Sequence, residues 1–141
     1  KPNKAYLGEK DFQQLQIVKK LVEIENLPVK IIGCPIIRES SGLAMSSRNK
    51  RLNTDQLNEA ILIYKTLLKV KENFKLLSIL KLNQLAEKEF KNHPCLTLEY
   101  FEIADTETLK TAIYKSKKKK YRAFIASFID DVRLIDNIAL N

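Results

Sequence analysis

The chain has 141 residues and a mass of 16.3 kDa, with 45% hydrophobic residues, 30% charged residues and a formal net charge of +8. This composition excludes a disordered or collagen-like chain, and no apolar run approaches the roughly 20 residues that a membrane span needs. The length suits one domain, or two small domains, with an apolar core.

The N-terminal residues and the cysteines bear on whether the chain is a fragment and on where in the cell it lies. No apolar segment follows the basic N-terminal residues, so we expect no secretory signal. The first residue is lysine rather than methionine, which favours a fragment of a longer chain. Cys34 and Cys95 lie in apolar stretches, where free cysteines usually behave as small buried apolar residues. We therefore expect a reducing, cytoplasmic location and a soluble protein.

The first predicted elements are a helix and a buried strand. Apolar residues recur at helical spacing over residues 9–26, and Pro28 ends that helix. Residues 29–34 are a short apolar, β-branched run, which is typical of a strand buried on both faces of a parallel sheet. Because such a strand needs neighbours for its backbone groups, we expect those neighbours upstream of this chain.

The remaining pattern predicts a long loop and then a small α+β domain. The loop covers residues 35–53 and is rich in Gly, Ser and Arg. The next predicted elements are a helix that begins at residue 53 or 54, a second helix over residues 75–90 and a strand over residues 96–100. A short helix over residues 106–113 follows, and then an antiparallel hairpin of strands 121–129 and 132–138. The predicted fold class is therefore α/β. Residues 1–42 would be the C-terminal piece of a parallel domain. Residues 43–141 would form a small α+β domain with a three-stranded antiparallel sheet.

The segment at the start of the first helix has the composition of a phosphate site. A helix N-terminus presents unpaired N–H groups, Gly8 permits close approach, and Lys10 adds positive charge. Asp11 suits ribose hydroxyls, although it is equally suited to be an ordinary first-turn acid or cap. Gln14, one turn further, offers amide donors and an acceptor to a polar substrate, and a solvent-exposed glutamine is the alternative.

A second candidate segment lies in the long loop. Ser46, Ser47 and Arg48 provide two hydroxyls and a guanidinium within three positions, which suits negative charge developing on a leaving pyrophosphate. The alternative is a serine-rich hinge with an exposed arginine, and composition alone does not separate the two.

Together these segments resemble one enzyme family. The strings G-E-K-D-x-Q-Q (residues 8–14), R-x-x-x-G-L-A-M-S-S-R-N (residues 38–49) and R-L-I-D-N (residues 133–137) resemble the pantoate-beta-alanine ligases over the whole chain. The resemblance implies a Rossmann-like nucleotidyltransferase that joins (R)-pantoate to beta-alanine with ATP and Mg²⁺. It also implies a pantoyl-adenylate intermediate, release of AMP and pyrophosphate, and a homodimer.

The resemblance also implies a role for individual residues. Met45-Ser46-Ser47-Arg48 matches the KMSKS-like signature of adenylate-forming enzymes, and the last three would hold the phosphates and act in catalysis. Residues 43–141 would form a lid that moves on a hinge near this loop. The implied ATP-binding residues are Gly8, Glu9, Lys10, Asp11, Ile37, Met45, Ser46, Ser47 and Arg48, while Gln14 would bind pantoate and no residue would be a metal ligand.

One part of the family pattern is absent. The HxGH signature requires two histidines within four residues, whereas this chain has only His93. The sequence therefore resembles the C-terminal half of the enzyme, and we expect little or no ligase activity from these residues alone.

A competing interpretation is a basic module that binds nucleic acid, which we consider the less favoured. It would use the lysine-rich loop 115–122, with Tyr114, Tyr121 and Phe124 available to stack on bases. A third possibility is a dimerisation domain.

Overall fold

Two parallel strands and one helix form the first unit of the molecule. In the computed structural model, which describes residues 2–141, the chain divides into the units Lys1–Ile37 and Arg38–Asn141. The first unit consists of β1 (Lys4–Gly8), a 3-10 turn (Glu9–Asp11), α1 (Phe12–Ile24) and β2 (Lys30–Cys34). β1 and β2 pair in parallel, with Tyr6 opposite Ile32.

This arrangement confirms the predicted helix and strand, although β2 is half-buried or exposed along its length rather than buried on both faces. It also corrects one expectation. β2 has a neighbour within the chain, because residues 4–8 form a strand that the sequence did not reveal. β1 is only five residues long and half-buried on one face, so only Ala5 and Leu7 could have indicated a strand in the sequence. α1 packs through Phe12 and Leu15, and a Cβ on Gly33 of β2 would meet Leu15 at 3.0 Å. Glycine thus allows the helix to approach the strand closely.

The second unit is two helices against an antiparallel sheet. Its elements are a 3-10 helix (Ser47–Arg51), α2 (Thr54–Asn73), α3 (Ile79–Lys91), β3 (Thr97–Asp105), β4 (Tyr121–Ile129) and β5 (Val132–Ala139). The strand order is β3-β4-β5, and the predicted hairpin of the last two strands is confirmed. Asp130 turns the hairpin with φ of 49°, a left-handed conformation that aspartate tolerates better than most residues.

Polar side chains determine where the two long helices begin. Asn53 and Gln56 exchange hydrogen bonds at 2.8 and 2.9 Å in a capping box at the start of α2. α3 begins four residues later than predicted because Ser78, not a residue near Lys75, accepts the hydrogen bond from the backbone N–H of Lys81. The preceding Leu76 is consequently 82% exposed.

The predicted helix over residues 106–113 is wrong. The carboxylate of Asp105 accepts the backbone N–H groups of Glu107 and Thr108 at 2.9 and 3.0 Å, and it forms an ion pair with Lys119. These contacts, with the Thr108 bond contributing most, lower the pKa of Asp105 to about 2. Leu109 then has φ of 58°, so the chain turns instead of continuing as a helix.

The core of the second unit lies between the helices and the sheet. Ile63 and Leu67 of α2 and Leu82 of α3 are almost fully buried, as are Ile103 and Ile125 of the strands. The expected α/β fold class with a three-stranded antiparallel sheet is confirmed. The cysteines are both free, but Cys95 is exposed rather than buried as expected. Among the described helices, none combines the length and the apolar character that crossing a bilayer requires.

Candidate functional site

The first candidate segment lies at the carboxyl end of a parallel strand. Gly8 is the last residue of β1, the 3-10 turn Glu9–Asp11 follows, and α1 starts at Phe12. In parallel α/β folds, ligands bind beyond the carboxyl ends of strands, where helix N-termini present free N–H groups. Nothing lies within 4 Å of the position of a Cβ on Gly8, so the space above the turn is open.

The side chains of this segment are accessible to a ligand. Asp11 is exposed and makes no capping hydrogen bond to the helix, which removes a cap as the explanation for this acid. Gln14 is exposed in the first turn of α1, while Glu9 and Lys10 are half-buried. Ile37, at the end of this unit, is 71% exposed. Lys10 and Asp11 in the 3-10 turn and Gln14 in α1 thus lie on one short stretch of backbone.

The second candidate segment is an ordered turn rather than a featureless loop. The Ser46 hydroxyl accepts the backbone N–H of Arg48 at 3.2 Å and caps the 3-10 helix Ser47–Arg51. The backbone N–H of Asn49 donates to the Ser46 carbonyl oxygen at 3.1 Å. Ser47 and Arg48 are exposed on this turn, so their hydroxyl and guanidinium groups are available to an anion.

The guanidinium of Arg48 is held by a neutral group. Its Nη1 donates to the carbonyl oxygen of Arg133 at 3.2 Å, at the start of β5. Arg133 itself pairs with Glu99 at 2.6 Å, and this contact raises its pKa. None of the described carboxylates forms an ion pair with Arg48, so its positive charge is available to a phosphate.

A cavity of about 920 Å³ lies within the second unit beside this turn. One wall is the loop from Glu39 to Lys50, including Met45, Ser46 and Ser47, and the other is the beginning of α2. Asn49 is the last residue of the string over residues 38–49 and was assigned no role from the sequence, but it lines the cavity and is 9% exposed. Its Nδ2 donates to the Ala44 carbonyl oxygen at 3.1 Å and braces the loop.

The lysine-rich loop has a structural role. Lys115 Nζ donates to the carbonyl oxygens of Phe74 and Leu77 at 2.6 and 2.7 Å, where α2 ends. Of the aromatic residues proposed to stack on bases, Tyr121 is 2% exposed and Phe124 is 6% exposed. Of these three rings only that of Tyr114 is exposed, so the predicted nucleic-acid interface offers one ring where single-stranded nucleic acid usually stacks on several.

We expect Lys115→Ala to lower the free energy of unfolding by about 1–2 kcal/mol, since it leaves two carbonyl oxygens at the end of a helix without their cationic donor. Lys117→Ala removes the same charge from an exposed position of the same loop and serves as the matched control. Urea titrations followed by circular dichroism measure both. Equal stability of the two variants would contradict the structural role of Lys115.

Comparison with known proteins gives a consistent result. The family model for pantoate-beta-alanine ligase matches residues 1–139. The chain is 56% identical over 140 residues to the pantothenate synthetase of Christiangramia forsetii, covering 99% of this chain and 50% of that protein. It is 51% identical to the pantothenate synthetase of Flavobacterium psychrophilum, covering 99% of this chain and 49% of that protein. The chain thus spans about half the length of the curated relatives it matches.

Solved structures agree with the sequence matches. The crystal structure of pantothenate synthetase from Thermus thermophilus superposes with a TM-score of 0.89 at 32% identity, covering 98% of this chain and 50% of that one. Pantoate-beta-alanine ligase from Francisella tularensis, complexed with beta-gamma ATP and beta-alanine, gives a TM-score of 0.66 at 34% identity. That match covers 98% of this chain and 44% of the Francisella chain.

Proposed function

The chain belongs to the pantoate-beta-alanine ligase family, and on that basis we propose that it contributes the C-terminal half of an enzyme that ligates (R)-pantoate to beta-alanine at the expense of ATP. The observation that carries the proposal is the capped turn at Ser46–Arg48. It presents a hydroxyl and an uncompensated guanidinium, the donors that a leaving pyrophosphate requires. Pantoate, beta-alanine and ATP are the proposed substrates.

The proposed reaction has two steps. In the first, a carboxylate oxygen of pantoate attacks the α-phosphorus of ATP, and the bond to the bridging oxygen breaks so that pyrophosphate leaves with the electron pair. In the second, the amine of beta-alanine attacks the activated carbonyl, AMP leaves, and the nitrogen loses a proton. Because the carbonyl is already activated, positioning and charge stabilisation are sufficient and no strong base is required of this chain.

The site residues have distinct proposed roles. Arg48, Ser46 and Ser47 stabilise charge on the phosphates, and Met45 contacts the nucleotide. Gln14 binds pantoate. The turn after β1 binds ATP through Gly8, Glu9, Lys10 and Asp11, with Lys10 on the phosphates and Asp11 on the ribose, and the backbone of Ile37 contacts adenine.

Mg²⁺ fits this proposal as an ion carried by the nucleotide. The described residues include no group of three His, Cys, Asp or Glu side chains that could hold a metal. Mg²⁺ commonly binds through substrate phosphates and keeps several waters, so it needs no cage of protein ligands. When bound, it neutralises phosphate charge.

The domain assignment completes the proposal. Residues 1–42 belong to the ATP- and pantoate-binding domain, and residues 43–141 act as a lid that keeps water from the acyl adenylate. The whole enzyme is proposed to be a cytoplasmic homodimer. The HxGH residues that this chain lacks come from the N-terminal half that its full-length relatives possess.

A fusion protein tests the proposal directly. The N-terminal half of the Christiangramia forsetii enzyme, up to the residue that precedes the matched region, is joined to Lys1, and the 141-residue chain is assayed beside it. We expect pantoate-dependent pyrophosphate release and pantothenate formation from the fusion, and neither activity from the chain alone.

Two results would contradict the proposal. A folded fusion without activity would refute the ligase assignment, and robust pyrophosphate release by the 141 residues alone would refute the need for an N-terminal half. As a control, binding of single-stranded DNA is measured at two salt concentrations, because tight binding that weakens steeply with salt would instead support the basic module.

A further inference from the structure

One arginine at the start of the long loop forms a paired contact with a buried aspartate. Arg38 Nη1 lies 2.6 Å from Asp136 Oδ2, and Arg38 Nη2 lies 3.0 Å from Asp136 Oδ1. The side chain of Asp136, on β5, is 2% exposed and that of Arg38 is 18% exposed. Two parallel hydrogen bonds fix the orientation of the guanidinium plane as well as its position.

The same guanidinium has three further partners. It donates to the carbonyl oxygen of Gly42 at 3.1 Å and to that of Asn137 at 3.4 Å. It also stacks over the ring of Tyr64 on α2, 3.8 Å from the ring centroid. A single side chain therefore connects the loop, α2 and β5, and we refer to Arg38, Tyr64 and Asp136 as the clasp.

The backbone next to the clasp forms a tight turn. Arg38 and Ala44 pair as an antiparallel bridge, and the N–H of Glu39 donates to the carbonyl oxygen of Leu43 at 2.8 Å. Gly42 closes the turn with φ of 94°. Ala44, which directly precedes Met45, also accepts the hydrogen bond from Asn49. The clasp therefore fixes the backbone from which the turn carrying Ser46, Ser47 and Arg48 extends.

A contribution to stability does not by itself account for this ion pair. Replacing a buried ion pair with well-packed apolar residues is often neutral or stabilising, because both charges must be removed from water. A bidentate, stacked arginine instead provides one defined geometry, which lysine cannot reproduce. The Asp136 partner lies in the R-L-I-D-N segment, to which the proposed function gives no role.

We propose that Arg38 is a positioning residue, and that the clasp holds the loop 38–49 in the geometry in which Ser46, Ser47 and Arg48 meet the phosphates. This inference rests on the proposed function for its catalytic consequence only. The ordering of the loop is testable without any enzymatic activity.

The first test is hydrogen exchange in the 141-residue chain. Arg38→Lys keeps the charge but loses the paired geometry and the stacking. We expect amide exchange over residues 43–52 to accelerate about tenfold or more, and by a larger factor than exchange in the centre of β4, which reports global unfolding. Unchanged exchange over residues 43–52 in this variant would overturn the proposal, as would an equal acceleration in β4.

Substitutions at Tyr64 keep the proposal testable if Arg38→Lys fails to fold. Tyr64→Phe retains the ring beneath the guanidinium, whereas Tyr64→Leu removes it. We expect the phenylalanine variant to match wild-type exchange over residues 43–52 and the leucine variant to exchange faster there. Identical exchange by the two variants would overturn the role of the stacked arginine.

The second test uses the fusion described above. In it, we expect Arg38→Lys to lower kcat for pyrophosphate release about 10- to 100-fold, with the KM for pantoate within about twofold, because misplacement of a catalytic turn affects the transition state most. A similar loss in both parameters would overturn the positioning role. If the fusion with native Arg38 is inactive, the proposed function fails, and the exchange measurements still decide whether the clasp orders the loop.

Discussion

Replacing Arg48 with alanine is expected to slow pyrophosphate release by the fusion about 10²- to 10³-fold, the loss typical of removing one preorganised donor to developing negative charge. The KM for pantoate should change by less than about threefold, because the guanidinium interacts with the leaving phosphates rather than with pantoate. Single-turnover measurement of pyrophosphate release isolates the step.

The reason for this large effect is the environment of the side chain. The side chain of Arg48 donates only to a carbonyl oxygen at the start of β5. A phosphate can therefore pair with the guanidinium without first displacing a carboxylate. Binding a phosphate therefore exchanges an exposed hydrogen bond to a neutral carbonyl oxygen for one to a negatively charged oxygen. The interaction becomes stronger as negative charge develops on the leaving group.

Arg51 provides the matched control. It lies in the same 3-10 helix, but its guanidinium pairs with Asp131 at 2.7 Å on the surface. Arg51→Ala should leave kcat within about twofold, since exposed ion pairs contribute little. Equal losses from the Arg48 and Arg51 variants, or equal losses in kcat and in pantoate affinity for Arg48→Ala, would contradict a role confined to the transition state.

The sequence predicted those elements whose apolar pattern is long. α2 has an apolar stripe over several turns, and the β4-β5 hairpin has two long apolar runs on either side of Asp130-Asp131. Both elements are confirmed. β1 was missed because five residues carry too short a pattern. The helix predicted over residues 106–113 fails because Leu109 has a left-handed φ of 58° and the chain then returns to β3, where the N–H of Ala112 donates to the carbonyl oxygen of Ile103. Periodicity does not register such a return to a sheet edge.

The candidate site was predictable only as local segments. Two short strings marked residues 8–14 and 38–49 as candidate segments, and the structure shows a 3-10 turn in each. The assigned roles of their residues remain predictions. Arg38 and Asp136 lie 98 positions apart, so no local pattern could show that they meet.

Gly42→Ala is expected to lower the free energy of unfolding of the chain by about 2–6 kcal/mol. The φ of 94° at this position is unfavourable for any residue with a Cβ, at a cost of about 1–3 kcal/mol. A Cβ would also stand 2.5 Å from Cδ1 of the Tyr64 ring, and forcing an extra methyl into such a space costs about 1–3 kcal/mol more. Urea titration followed by circular dichroism measures the loss.

Gly8→Ala separates this effect from a general cost of replacing glycine. Gly8 has φ of −70° and nothing within 4 Å of its Cβ position, so alanine there should change stability by less than about 1 kcal/mol. A double variant, Gly42→Ala with Tyr64→Ala, removes the collision and leaves the unfavourable φ. Its two substitutions should therefore cost less together than the sum of their separate effects. If the Gly42→Ala variant is as stable as the wild type, the turn beside the clasp is free to rearrange. The ring of Tyr64 then does not fix the loop that carries Arg48.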